Sequence, residues 1–414
     1  MTKQNNKIWL TVTVAALGYF VDIYDLQLFN MISKSSLRGM GITDEALVDK
    51  YDYLLFLWQM GGMLVGGILW GILGDLKGRK SILFGSILLY SAANIMNAFV
   101  VNVEQYSAVR FVAGLGLAGE LGAAITLVSE LMHKDKRGYG TMVVVAAGAL
   151  GAVAGAFISR HSFEILSLQN WQISYIIGGG LGLMLLLLRM GTFESSMFEA
   201  TKKSSVSKGN FFMLFAQKQR TLKYVACIAI GLPVWFCIGI LIKFSEKFAV
   251  SNGVGGEVHV IDAIMYAYIG LSFGDLLSGV LSQVLKSRKK VVMAYLIATA
   301  LISAIYLFAK DLSASMYYFL CFMLGTGSGY WALFVSIAAE QFGTNIRATV
   351  TTTVPNFVRG AVIPITVLFK TLEQKWDNIY SAAFVGLICI SLAMISIWYL
   401  NESFGKDLDY VEGN

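Results

Sequence analysis

Twelve runs of mostly apolar residues, each long enough to cross about 30 Å of hydrocarbon as a helix, follow one another along this chain. They fall near 8–32, 53–75, 81–101, 106–132, 139–160 and 172–190, then near 223–246, 260–285, 291–310, 315–340, 349–370 and 378–400. Lipid offers no hydrogen bonds, so a spanning segment must satisfy its own backbone as a helix or join a closed barrel. Barrel strands need only about ten residues, and these runs are twice that. The expected fold is therefore an all-α integral membrane protein of twelve transmembrane helices. Composition agrees, because 56% hydrophobic and 14% charged residues cannot cover a soluble protein of this size. The first run is too long for a signal-peptide core and lacks a small-residue cleavage site, so it reads as a retained span. The polar stretch 191–222 divides the chain into an N-terminal six-helix bundle (1–190), a cytoplasmic linker and a C-terminal six-helix bundle (223–414).

Sidedness follows from Lys and Arg placement. With the N-terminus inside, cytoplasmic segments hold 21 of the 32 Lys and Arg residues, against nine outside and two within spans. Both termini are then cytoplasmic, in a cell inner (plasma) membrane. "KGRK" (77–80), "HKDKR" (133–137) and "KSRKK" (286–290) carry the bias. The net charge of +6 reflects this topology and not nucleic-acid binding. Cys227, Cys237, Cys321 and Cys389 lie in apolar runs without CxxC spacing, and His133, His161 and His259 do not cluster. No metal, cofactor or enzyme constellation is expected.

The halves look duplicated. "SELMHKDKR" (129–137) and "AEQFGTNIR" (339–347) both place Arg seven residues after Glu, at an offset of 210. "FESS" (193–196) and "NESF" (401–404) repeat at an offset of 208, and "GILGDLKGRK" (71–80) has a degraded echo in "GVLSQVLKSRK" (279–289). Parallel six-span repeats are a transporter architecture with the substrate site between the halves.

"GILGDLKGRK" resembles the signature loop of the major facilitator superfamily. "RFVAGLGLAGELGAAITLVSE" (110–130), "GYFVDIYDL" (18–26), "FESSMF" (193–198) and "AEQFGTNIR" followed by "VPNFVRG" (354–360) resemble its metabolite/organic-ion:proton symporter branches. The resemblance implies two pseudo-symmetric bundles rocking around a central site lined by helices one, four, seven and ten. It also implies a conformational latch at Gly71, Asp75, Gly78 and Arg79, where Asp75 meets the positive end of another helix. Glu130, Arg137, Glu340 and Arg347, at repeat-related cytoplasmic ends, are expected to join it.

Ionisable residues inside a membrane are costly and default to function. Asp22 and Asp25 lie one turn apart, about 15 and 10 Å from the outer end of span 1. Arg110 lies near the depth of Asp25, so the expected pair is Asp25–Arg110, with Asp22 isolated and the first choice for titration. Glu120 is a second proton-carrier candidate, balanced against a permanent structural hydrogen bond. Arg359 lies near the bilayer centre and must meet an anion or a carboxylate, since it keeps its proton. Either it grips an anionic substrate or it pairs with Asp275. Tyr19, Gln59, Asn94, Asn97 and Asn356 are supporting polar groups, and Trp235, Tyr330 and Trp331 candidate cavity aromatics.

The expected function is alternating-access secondary transport, as proton-coupled uptake of a small organic anion such as a carboxylate. The working state is expected to be a monomer in the bilayer. Span 5, "AAGALGAVAGAF" (146–157), lacks the proline of the family's antiporter motif, which disfavours the alternative of a proton-coupled exporter. A second alternative, a non-transporting sensor on this scaffold, would be expected to carry a sizeable soluble extension. "PVWFCIGIL" (233–241) has no acidic residue, which argues against inorganic phosphate.

Overall fold

The computed structural model describes residues 3–133, 136–161, 168–189 and 209–413. Eleven helices there are long and apolar enough to cross a membrane. The remaining span, Arg79–Asn97, is 19 residues long and is diluted by Asn94 and Asn97 on its buried side. Together they make the twelve expected spans. The FESS motif and most of the expected linker lie outside the described residues. Within the rest of that stretch, Phe211–Phe215 forms a 3-10 turn and span 7 starts at Lys218. Among the described residues, extended pairing is limited to one bridge between Gly255 and Ser313.

The twelve spans form two bundles of six, and burial sorts them into roles. In the most apolar windows of spans 1 (Ile8–Gly39), 4 (Val103–Leu131), 7 (Lys218–Ile242) and 10 (Ala314–Gln341), 83% of residues are buried inside the protein. The figure is 44% for spans 6 (Asn170–Leu188), 9 (Arg288–Phe308) and 12 (Asn378–Tyr399), whose apolar side chains face lipid. Spans 2 (Glu45–Lys77) and 11 (Arg347–Glu373) meet across the bundles, as do spans 5 (Arg137–Arg160) and 8 (Val260–Val284). These two seams are related by the sequence repeat.

Three of the four central spans are irregular. Span 4 breaks after Leu117 and restarts at Glu120, and span 10 breaks after Ser328 and restarts at Trp331. The two breaks stand about one repeat offset apart, so the duplication extends to backbone geometry. Span 7 holds Pro233 and then a π-helical turn, Cys237–Ile242. Proline removes a backbone hydrogen bond, and π turns loosen the ladder and often lie at functional sites.

One end of the protein is sealed and the other is open. The sealed end carries the 77–80 and 286–290 loops and the segment after span 12. The open end holds a vestibule of about 1110 Å³ between the bundles.

Candidate functional site

Midway through the protein, a small cavity lies between the bundles, lined by Tyr19, Val145, Ala149, Trp235, Tyr268, Trp331 and Arg359 among others. Spans 1, 5, 7, 8, 10 and 11 all contribute. Its volume is about 20 Å³, room for roughly one water, so a larger guest enters only when the bundles separate. Arg359 is fully buried and loosely held. Its Nη2 lies 3.8 Å from Asp22 Oδ2 and donates to Tyr19 Oη at 3.5 Å, and its Nη1 donates to Asn356 Oδ1 at 3.4 Å. The Nε has no hydrogen-bond partner, and the guanidinium sits 6.0 Å from the centre of the Trp331 ring. Charge-assisted bonds normally close to about 2.7–2.9 Å.

This geometry corrects the expected isolation of Asp22 and does not bear out Asp275 as the partner of Arg359. Asp22 is not isolated, because its carboxylate faces Arg359, although neither oxygen accepts a hydrogen bond. Asp275 does not pair with Arg359. Its Oδ1 accepts the Ala332 amide at 2.9 Å, capping the restarted half of span 10. A helix N-terminus whose first amides lack partners is a ready site for a carboxylate.

The Asp25–Arg110 pair is also absent. Arg110 donates to Asn94 Oδ1 at 3.0 Å and Asn97 Oδ1 at 3.3 Å, and lies against the rings of Tyr175 and Phe29. Equal depth brought the two residues together on paper. The rotation of span 4 turns Arg110 towards span 3 instead. Both oxygens of buried Asp25 lack a hydrogen-bond partner. Glu120 is held by Arg189 of span 6 through two contacts, one of them Nη1 to Oε2 at 2.8 Å. This makes it half of a buried ion pair and not a free carboxyl. Arg189 is not among the residues singled out from the sequence.

The remaining candidates divide by location. Trp235 and Trp331 line the cavity. Tyr330 points elsewhere, its hydroxyl bonded to Ile230 O at 2.9 Å. The Asn356 amide donates to Ala118 O and Thr352 O, tying span 11 to the break in span 4. Gln59 is buried on span 2 with neither amide atom hydrogen-bonded, away from the cavity lining. Tyr268, which sequence reasoning passed over, completes the aromatic wall.

The sealed end is a lattice of buried charges. Asp75 accepts the Ala348 amide at 3.0 Å, the Thr349 amide at 2.8 Å and the Thr349 hydroxyl at 2.7 Å, capping span 11. Gly71 leaves room for the Thr349 backbone to approach, and Gly78 turns the loop at φ +100°. Arg79 meets Asp75 at 3.6 Å and Glu130 at 3.0 Å, and Glu130 also takes Arg347 of the other bundle at 3.1 Å. The repeat builds the same motif again: Arg288 meets Glu340 at 3.2 Å, and Arg137 reaches across to Glu340 at 3.9 Å. Each Glu therefore bridges its own bundle's loop arginine and the other bundle's helix-end arginine, so the pairs cross between halves. Arg288, in the degraded echo of the signature loop, was missed because it is shifted by one residue from the position of Arg79. The segment after span 12 adds backbone acceptors, with Leu408 O taking Arg347 Nη2 and Lys406 O taking Arg137 Nη2, both at 2.6 Å.

The open side also carries a contact between the bundles. Lys243, just after the π turn of span 7, lies 3.5 Å from Asp52 of span 2 and donates to Asn30 of span 1 at 3.1 Å. Neither charge had been singled out, since each falls at a span end where lysine and aspartate are unremarkable.

The major facilitator superfamily model matches residues 15–365. A Bacillus subtilis (strain 168) protein named for niacin/nicotinamide transport is 26% identical over 390 residues, covering 92% of each chain. The 4-hydroxybenzoate transporter of Pseudomonas putida is 28% identical over 201 residues, 48% of this chain and 43% of that one. Among solved structures, the proton:xylose symporter XylE superposes with a TM-score of 0.75 at 15% identity over 98% of both chains. The Escherichia coli fucose:proton symporter FucP superposes at 0.73 and 13% identity, over 95% of this chain and 99% of that one. With the twelve spans, the repeated charge lattice and a family match over most of its length, this chain belongs to the major facilitator superfamily of transporters.

Proposed function

We propose that the protein is a proton-coupled symporter that takes up a small organic anion, with an aromatic monocarboxylate as the first class to test. One observation carries the reading: Arg359 is buried between the bundles, loosely held, and faces an aromatic-walled cavity. A planar guanidinium in that setting suits a carboxylate, which it grips bidentately. Tyr268, Trp235 and Trp331 suit an aromatic ring. The names of the relatives, niacin and 4-hydroxybenzoate transporters, fit the same chemistry.

Coupling follows from competition. When a substrate carboxylate takes Arg359, Asp22 loses the cation beside it and binds a proton in compensation. Both charges then cross as neutral pairs, and release of the acid to the cytoplasm restores the Asp22–Arg359 pair. Asp25 is the second carboxyl available to this relay, while the Glu120–Arg189 pair serves packing. The latch face is taken as cytoplasmic on the strength of its arginines and lysines, in a plasma membrane with the protein acting as a monomer. The Asp75, Glu130 and Glu340 lattice then holds the outward-facing state.

The test is uptake into proteoliposomes of nicotinate, benzoate and 4-hydroxybenzoate, with and without an inward proton gradient. Accumulation of at least one acid that collapses with the gradient supports symport. If no acid moves faster with the gradient, the reading is wrong.

A further inference from the structure

We propose that the vestibule contains a second, weaker anion subsite at Lys370, Tyr53 and Phe244, which captures the substrate carboxylate before it reaches Arg359. This rests on the organic-anion reading above. Five vestibule cations, Lys34, Arg38, Arg160, Lys243 and Lys247, each have a carboxylate oxygen within 4 Å. Among the described residues lining the vestibule, Lys370 is the one cation with no such partner. Instead its ammonium sits 4.0 Å from the centre of the Tyr53 ring and 5.9 Å from that of Phe244. Aromatic faces attract a cation without neutralising it, so the charge stays available to an anion while the rings offer a stacking surface.

Position along span 11 makes this more than an exposed lysine. Lys370 follows Arg359 by eleven residues, which is three helical turns plus about 20°, so both occupy one face roughly 16 Å apart. Thr366 stands between them on that face, buried at 1% exposure, and its hydroxyl has no hydrogen-bond partner. One face of span 11 thus carries a cation on the vestibule lining, an unpaired buried hydroxyl, and the cation of the central cavity. Lys243 and Asp52, 3.5 Å apart, line the same vestibule as Lys370. Two separated cations on one face raise the local concentration of an anion and shorten its search.

The experiment uses the full chain, with benzoate as the probe in both arms. In proteoliposomes, Lys370→Gln should raise KM for benzoate uptake about fivefold at low salt with kcat near wild type, and the salt dependence of KM should flatten. Lys370→Arg should restore both. Tyr53→Leu, which keeps the charge and removes the stacking surface, should raise KM about twofold. In detergent, Arg359→Gln should abolish uptake yet retain weak benzoate binding by saturation-transfer NMR, and adding Lys370→Gln should remove that residue of binding. Wild-type KM and salt dependence in Lys370→Gln, beside an inactive Arg359→Gln, overturns the vestibule subsite and leaves the proposed function standing. Full uptake by Arg359→Gln overturns the central reading and this subsite with it.

Discussion

Two buried charge clusters in this protein are built from the same residue types and are held in opposite ways. At the sealed end, Asp75 accepts three hydrogen bonds, and Glu130 meets Arg79 and Arg347 at 3.0 and 3.1 Å. At the centre, Arg359 reaches its partners at 3.4 to 3.8 Å, and all four carboxylate oxygens of Asp22 and Asp25 lack a hydrogen bond. Burying an unsatisfied charge is expensive, so a fold leaves one only where a ligand or proton completes the site. A lattice of closely paired charges is suited to hold one conformation, and a loosely paired cluster is suited to exchange partners.

Five measurements would break or sharpen this contrast. The largest effect is expected at the centre: Arg359→Ala should lower acid uptake at least ~100-fold, since the truncation removes a charge-assisted carboxylate clamp. Undiminished uptake in proteoliposomes would place Arg359 among the structural residues. Next, Asp22→Asn should abolish gradient-driven accumulation while keeping acid–acid exchange across the membrane. An Asn variant that still accumulates acid against its gradient would remove Asp22 from the proton path.

The latch predictions are smaller and concern stability and conformation. Glu130→Gln leaves Arg79 and Arg347 facing each other without their shared carboxylate, a loss of about 3–5 kcal/mol from the sealed state. Its readout is a cysteine on the latch face becoming reactive to an impermeant thiol reagent. If labelling stays at the wild-type rate, Glu130 does not hold the seal. Least of all, Arg137→Gln should cost roughly 1 kcal/mol less than Arg347→Gln, because Arg137 stands 3.9 Å from Glu340 whereas Arg347 stands 3.1 Å from Glu130. Thermal unfolding of the two purified variants compares them directly, and a larger drop for Arg137→Gln would contradict the ranking.

Removing the segment after Phe404 would test how far its carbonyls contribute. Leu408 O and Lys406 O hold one cross-bundle arginine each, so both arginine effects should shrink in the truncated background. This non-additivity is the signature of a shared network.

Much of this protein was legible before any coordinates. The twelve spans, the duplication at an offset of 210 and the identities of the buried ionisable residues are written in local composition and periodicity. The carboxylate of Asp75 at a helix start was also readable, because the loop motif and the dipole argument both concern short, regular stretches. The pairings were not. Asp25 and Arg110 share a depth, but depth leaves the rotation of each helix open, and 100° per residue separates a partner from a stranger. Asp22–Arg359 and Glu120–Arg189 join residues far apart in sequence that only the packing of spans 1, 4, 6 and 11 brings together. Lys243 and Asp52 each look ordinary at a span end, and only the packing of spans 7 and 2 brings them to 3.5 Å.

The sequence alone thus determined a two-bundle membrane transporter and the set of charges it must bury, since the bilayer penalises each span and each charge one at a time. Which charge answers which, and which are left waiting, was decided by tertiary structure. That choice depends on helix rotation and on distances of a few tenths of an ångström between bundles, and no local pattern in the chain encodes either.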